Sequence, residues 1–329
     1  MTGTAQEPNR LLKASLDNIL SSYLACTPSA RQVIDRVYTQ GYGKDQLFHD
    51  HFAFRTFGVP GLGLDSLGSA LEAFGYTRQD YYSFPRTHLL AAWYAPPREL
   101  YTTLPRMFVS QLQVEKLSPA AQAIILSYTA DLADSLSSSS PGSSSSSSSG
   151  SSSSSSFAAT LSAWTGAVTG VLPWRTPSRE DYLALLQESE YGAWVLVNGY
   201  RLNHTALSVH NIAGHSGDIY AFANDLVMKG FKLNEEGGLM KVSPDSGLLQ
   251  CSTVADVMDF TFAGAEVHPV VGAYMEFVER KPQPQHAHLA AAGQLQEHQR
   301  RDGFEAASAK DIFASTTLAA AAAQKQGIL

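Results

Sequence analysis

The stretch His51-Phe52-Ala53-Phe54-Arg55-Thr56-Phe57 sets an imidazole and a guanidinium at alternate positions of an otherwise apolar run. A period of two reads as a β-strand and places His51, Ala53 and Arg55 on one face. The device returns later as Leu202-Asn203-His204-Thr205-Ala206-Leu207-Ser208-Val209, where Leu202, His204, Ala206 and Ser208 share a face. Each run leads to a helical stretch, 65–74 and 216–229, that stops at a glycine followed by an aromatic: Phe74-Gly75-Tyr76 against Lys229-Gly230-Phe231. Strand-like runs follow in both halves, at 76–84, 89–95 and 107–114 and then at 231–233, 239–242 and 248–253. The order β-α-β-β-β therefore occurs twice, each time opened by a histidine, which predicts an α+β fold of duplicated modules.

One more apolar run, Val270-Val271-Gly272-Ala273-Tyr274-Met275-Glu276-Phe277-Val278, carries a carboxylate, with Tyr274, Glu276 and Val278 on one face. An uncompensated polar group in such a run costs about 2–7 kcal/mol, and a charge costs more. A shared metal would satisfy His51, His204 and Glu276 together. Two histidines and one carboxylate form the ligand set of a mononuclear non-haem iron(II) site, with positions left open for substrate and dioxygen. The competing reading makes the histidines core residues bonded to backbone and Glu276 the partner of an arginine. Other candidates carry weaker signals. His49 shares the alternating face of His51 but lies at the strand edge beside Asp50, and is expected to face solvent. His210 and His215 flank Gly214 before a helix, in capping or solvated positions. Glu279 falls on the strand face opposite Glu276 and is expected near solvent around Arg280.

A guanidinium beside His51 has a use of its own, because the fork of Arg55 suits a carboxylate held bidentately and the small Ala53 leaves room for it. Leu248, Gln250 and Ser252 alternate onto a further polar wall. Arg300 and Arg301, ahead of the turn Asp302-Gly303-Phe304-Glu305, are either solvated or directed at an anionic substrate.

The chain has 329 residues, of which 44% are hydrophobic, enough to bury a sizeable core. A net charge of -7 and the lack of any Lys/Arg run argue against nucleic acid or an anionic membrane as partner. Two cysteines, Cys26 and Cys251, are too few for a disulfide framework and suit a reducing compartment. No membrane span or secretory signal is expected, so the reading is of a soluble, intracellular protein.

Residues 1–45 read as an N-terminal helical pair, with Thr27-Pro28 as the N-cap and first position of the second helix. The first module occupies 46–117. Linking helices fill 118–200, one starting at Ser118-Pro119 and one at Ser178, where Asp181 completes a capping-box pattern. Between them 137–156 is nearly pure serine and is expected to be a disordered insertion with no catalytic part. The second module spans 201–281, and a helical segment, 282–329, closes the chain.

Longer strings carry a family resemblance: D-H-F-A-F-R-T-F-G from Asp50, V-N-G-Y-R-L-N-H from Val197, K-V-S-P-D-S-G-L-L-Q-C-S-T-V-A-D from Lys241, Y-M-E-F-V-E-R from Tyr274 and R-R-D-G-F-E from Arg300. Together they resemble the 2-oxoadipate dioxygenase/decarboxylase family of the vicinal oxygen chelate superfamily, close to its plant and algal members. The likeness spans nearly the whole chain outside the serine run. It implies a cupped mixed sheet around one iron(II), ligated by His51, His204 and Glu276. It also implies that Arg55 binds a substrate carboxylate and that the helix after Asp302 covers the pocket. Gln250, Ser252 and Arg301 are added to the substrate set by face and motif. The implied reaction turns 2-oxoadipate and dioxygen into 2-hydroxyglutarate and carbon dioxide in lysine breakdown, with the 2-oxo acid as both chelator and substrate. Plant relatives are expected in plastids, and the location stays open between plastid and cytosol. Two other functions remain: a metal-dependent isomerase or lyase of the glyoxalase type, and a non-catalytic small-molecule-binding protein on the same scaffold.

Overall fold

A computed structural model describes residues 6–39, 47–138, 152–212 and 217–325. The elements that position the site are strands of one mixed eight-stranded sheet. In the first half, β1 (His49–Phe57) leads through α3 (Leu64–Ala73) to β2 (Thr77–Phe84), β3 (Leu89–Ala95) and β4 (Arg106–Leu112). In the second, β5 (Leu202–Ser208) leads through α8 (Ile219–Met228) to β6 (Lys241–Val242), β7 (Leu248–Ser252) and, after a hairpin, β10 (Tyr274–Arg280). Across the sheet the order is β2-β3-β4-β1-β5-β10-β7-β6. In each half the opening strand pairs in parallel with the last, β1 with β4 and β5 with β10, and the two opening strands pair antiparallel at the seam. The curled sheet is thus two copies of one β-α-β-β-β unit; the sequence periodicity predicts the duplication, but the last strand of the second copy is the Glu276 strand β10, which that reading sets outside the repeat.

The duplication reaches individual hydrogen bonds. Gly75 and Gly230 leave their helices at φ 88° and 87°, a left-handed conformation that costs glycine little. Behind them Tyr76 N–H returns to Leu71 O and Gly75 N–H to Glu72 O, while Phe231 N–H returns to Leu226 O and Gly230 N–H to Val227 O. Both exits are the same paired helix-end motif.

Alternation sorts the strand side chains by face. Phe54 turns outward from β1 onto Trp164 of α5 (Ser152–Val168), which also meets Phe74. Phe277 turns outward from β10 onto Phe222 of α8. Their neighbours Arg55 and Glu276 turn to the other face, where α7 (Glu190–Asn198) and α10 (Ala306–Lys325) bring Tyr191, Trp194, Phe313 and Thr316 against Arg55. The remaining helices are α1 (Gln6–Cys26), α2 (Pro28–Thr39), α4 (Pro119–Ser138), α6 (Arg179–Glu188) and α9 (Ala287–Ala291). No helix among the described residues is long and apolar enough to cross a membrane.

Several local expectations give way. The run from Val270 to Val278 is two strands in two sheets: β9 (Val267–Val271) pairs with β8 (Val257–Thr261), and the chain turns at Gly272 before β10. Gly272 and Ala273 use their N–H and C=O on Asp256, which ends one ladder before the next begins. The stretch 231–233 makes a single bridge, Leu233 to Thr253, in place of a strand. Thr27 precedes α2 as expected, but its buried Oγ1 makes no hydrogen bond among the described residues, so the cap is backbone only, through Arg31 N–H. Ser178 does cap α6, accepting from Asp181 N–H. Of the serine run, 139–151 lie outside the described residues, and Ser152 already opens α5, which the sequence reading treats as part of the insertion.

Candidate metal centre

Register explains how three strands deliver their ligands to one point. His51 pairs with Ala206 on β5, and Ala206 pairs with Glu276 on β10. Strands lie about 4.8 Å apart, so the backbones of His51 and Glu276 stand roughly 10 Å apart with only a methyl group between them. His204 comes from two positions before Ala206, on the same face. The side chains lean over Ala206 until His51 Nε2 is 3.3 Å from Glu276 Oε2, His204 Nε2 is 3.2 Å from the same oxygen, and the two Nε2 atoms are 3.4 Å apart.

All three residues are buried, at 1%, 3% and 1% exposure for His51, His204 and Glu276. Three acceptor atoms so close in a dry site need a cation or proton among them. Donors about 2.0–2.2 Å from one ion have this spacing. The group could hold a metal, and it is the one such cluster found among the described residues.

The residue before each histidine fixes its ring. His51 Nδ1 lies 2.9 Å from Asp50 Oδ1, and His204 Nδ1 lies 2.9 Å from Asn203 Oδ1. An Nδ1–H donated to these oxygens leaves each Nε2 lone pair aimed at the centre. Burial pulls the His204 pKa down to about 4, so this ring is neutral and ready to ligate. Burial acts on His51 in the same sense, but the carboxylates of Glu276 and Asp50 outweigh it and raise its pKa. Burial would raise Glu276, yet the two imidazoles hold it down to about 2. Glu276 Oε1 accepts from Gln250 Nε2 at 2.5 Å, which turns Oε2 to the centre.

Asp50 enters the sequence reading only in a family string and as the neighbour of His49. It is 2% exposed, and Arg280 donates to it through Nε at 2.6 Å and Nη2 at 2.9 Å, with Arg106 Nη1 at 3.4 Å. Burial opposes its ionisation, but Arg280 and Arg106 keep its carboxyl well below the usual range. A bulge makes this possible: His49 pairs with Leu207 and His51 with Ala206, so two steps on β1 match one on β5. The bulge takes His49 off the face of His51. His49 is half-buried, bonded through Nδ1 to Thr205 Oγ1 at 2.7 Å, and does not face solvent.

The other competitors also have buried partners. His210 Nε2 meets Glu297 at 3.1 Å and its Nδ1 accepts from Arg280 N–H, so it is neither solvated nor a cap. Glu279 is 5% exposed, pairs with Lys281, and accepts from Ile219 N–H at the start of α8. His215 lies outside the described residues.

Arg55 is 1% exposed. Its guanidinium lies against Tyr191, Trp194 and Phe313, donates from Nη2 to Thr316 Oγ1 at 3.0 Å, and stands 3.6 Å from Glu190. Its Nε and Nη1 make no hydrogen bond among the described residues. Arg55, Glu190, Tyr191 and Phe313 line a cavity of about 460 Å³. Ser252, the register partner of Glu276, is bonded to Ser315 of α10 at 2.8 Å. Gln250 Oε1 is buried without a partner among the described residues.

Arg301 is not brought to the triad. It is taken up by Asp245, Glu305 and the carbonyl of Asp302, while Arg300 pairs with Glu297. What this segment supplies is Phe304, whose ring packs edge-on to His51 at 4.8 Å and against Phe108 and Trp93. The sequence reading missed Phe304, Asp50, Asn203 and the aromatic wall of α7. The adjacency of Asp50 and Asn203 to the two histidines was a signal available in the sequence.

A family model described as 2-oxoadipate dioxygenase/decarboxylase matches residues 18–287. The chain is 40% identical over 309 residues to the chloroplastic/amyloplastic 2-oxoadipate dioxygenase/decarboxylase of Oryza sativa subsp. japonica, covering 92% of this chain and 78% of the relative. It is 38% identical over 312 residues to the chloroplastic protein of that description in Arabidopsis thaliana, covering 92% and 77%. Among solved structures it resembles the hydroxyglutarate synthase from Oryza sativa crystallised with 2-oxoadipate, with TM-score 0.81, 39% identity and coverage of 94% and 93% of the two chains.

Proposed function

The chain belongs to the 2-oxoadipate dioxygenase/decarboxylase family, and on that premise we propose that it is an iron(II)-dependent enzyme converting 2-oxoadipate and dioxygen to 2-hydroxyglutarate and carbon dioxide, a step of lysine breakdown. The observation that carries this reading is one sheet face bearing both a buried His-His-Glu triad and, on the strand of His51, a buried guanidinium whose Nε and Nη1 make no hydrogen bond among the described residues, Nη1 standing 3.6 Å from Glu190. A metal site beside an anion site suits a substrate that chelates at one end and is held by charge.

In this reading His51, His204 and Glu276 hold iron(II), which supplies the one-electron steps that ground-state dioxygen requires. Arg55 binds a carboxylate of the substrate through Nε and Nη1 and so sets its orientation. Tyr191, Trp194 and Phe313 keep water from that contact and strengthen it. The free Oε1 of Gln250 and the hydroxyl of Ser252 complete the polar wall, and Phe304 shields the His51 side. Arg301 is left with the bracing of its own segment. The reaction balances without a second 2-oxo acid: one C–C bond breaks to release carbon dioxide, and both atoms of dioxygen enter the five-carbon product. The plant relatives' chloroplastic descriptions support a plastid location for this chain as part of the same proposal.

The test is oxygen uptake by iron(II)-loaded protein given 2-oxoadipate, with a hemithioacetal as the control substrate of glyoxalase chemistry. Uptake with 2-oxoadipate alone supports the dioxygenase. Turnover of the hemithioacetal without uptake would replace it with the isomerase.

A further inference from the structure

The two imidazoles of the triad are held by different chemistry. Behind His204 stands a neutral amide, Asn203, whose Nδ2 makes no hydrogen bond among the described residues. Behind His51 stands a carboxylate with every acceptor position used. Asp50 Oδ1 takes the His51 ring and Arg280 Nη2, and Oδ2 takes Arg280 Nε and Arg106 Nη1.

The two arginines are anchored in turn. Arg280 donates to the carbonyls of Arg301 and Gly303, at 3.0 and 2.8 Å, and lies over Phe304. Arg106 donates to Asp302 at 2.7 Å and lies over Tyr101, whose hydroxyl also reaches Asp302. Strands β1, β4 and β10 and the segment before α10 thus converge on one carboxylate, and among the described residues that carboxylate touches the triad only through His51.

We infer that Asp50 is a positioning residue acting on the metal through His51, and that its charge makes His51 the stronger and more rigidly held imidazole of the pair. A carboxylate accepting Nδ1–H fixes the tautomer, orients the ring and pushes electron density towards Nε2; a neutral amide does the first two and little of the third. Arg280 and Arg106 do not cancel the effect. They hold Asp50 as a carboxylate and fill its other lone pairs, so the His51 proton stays on Nδ1.

The inference rests on the triad binding a metal, and its test separates the two claims. Zinc(II), a diamagnetic probe suited to imidazole, is titrated against a chromophoric chelator into wild-type full-length protein, Asp50→Asn and Asn203→Ala. One tightly bound ion in the wild type supports the premise, and none would remove it before Asp50 enters. Given that binding, Asp50→Asn weakens zinc about 10- to 100-fold, and Asn203→Ala weakens it less; an Asp50→Asn affinity equal to wild type overturns the inference.

Should Asp50→Asn fail to fold, the zinc-loaded wild type decides alone. Its two Nδ1 protons are read by nuclear magnetic resonance, each assigned by its own ring. The His51 proton, donated to a carboxylate, resonates at lower field than that of His204. Equal positions, or the reverse order, would show that Asp50 exerts no special pull and that its network serves only the fold.

Discussion

Gln250 Nε2 donates to Glu276 Oε1 at 2.5 Å, and this one contact leaves Oε2 as the oxygen of that carboxylate facing both imidazoles. Gln250→Leu keeps the size and removes the donor, freeing the carboxylate to rotate. Metal affinity should fall about 10-fold or more, the usual cost of losing an outer partner of a ligand. A chelator titration that finds no change would show that strand geometry alone orients Glu276.

Ala206 sits in register between His51 and Glu276, and its small side chain lets them meet. Ala206→Leu fills that space. The substitution should abolish metal binding as fully as His204→Ala while the far-ultraviolet dichroism stays near wild type, because the ladder of β5 uses backbone groups only. Retained stoichiometric metal would place the meeting point elsewhere.

Arg55 is set apart from metal binding by its place among Tyr191, Trp194 and Phe313. Arg55→Ala should cost about 2–5 kcal/mol in kcat/KM for 2-oxoadipate, with metal affinity kept. Thr316→Val removes the hydroxyl to which Arg55 Nη2 donates and should cost about 1 kcal/mol. Parallel loss of metal and turnover in either variant would contradict a substrate role for Arg55.

Arg280 is wholly buried and holds Asp50 through two nitrogens. Arg280→Met leaves that carboxylate with the His51 ring and a single arginine, Arg106, at 3.4 Å. Breaking one side of a buried pair costs about 3–5 kcal/mol, so denaturant unfolding of the metal-free protein should show a large loss. A loss below about 1 kcal/mol, the scale of an exposed pair, would mean that water reaches Asp50.

Polar residues in apolar runs stood out in the sequence, and for that reason the duplicated modules, the triad and Arg55 were all legible there. The residues that complete the site were not, each for a physical reason. Asp50 looks like an edge residue until the bulge buries it and Arg280, which follows it by most of the chain, pairs with it. Residues Tyr191–Asn198 of α7 are all buried, so the helix has no apolar stripe for periodicity to reveal. β9 and β10 run together in sequence, because the break at Gly272 depends on Asp256 arriving from elsewhere. Glu279 and His210 read as solvated because their partners, Ile219 N–H and Glu297, are distant along the chain.

The central claim, that the triad and Arg55 act together on a 2-oxo dicarboxylic acid that is both decarboxylated and hydroxylated, is tested most directly with labelled dioxygen. Iron(II)-loaded protein is mixed anaerobically with 2-oxoadipate, ¹⁸O₂ is admitted, and oxygen consumed, carbon dioxide released and product are measured in one vessel. The account predicts equal amounts of the three, with ¹⁸O in both the hydroxyl and the new carboxylate of 2-hydroxyglutarate. Carbon dioxide without oxygen uptake, or a hydroxyl oxygen drawn from water, would contradict it.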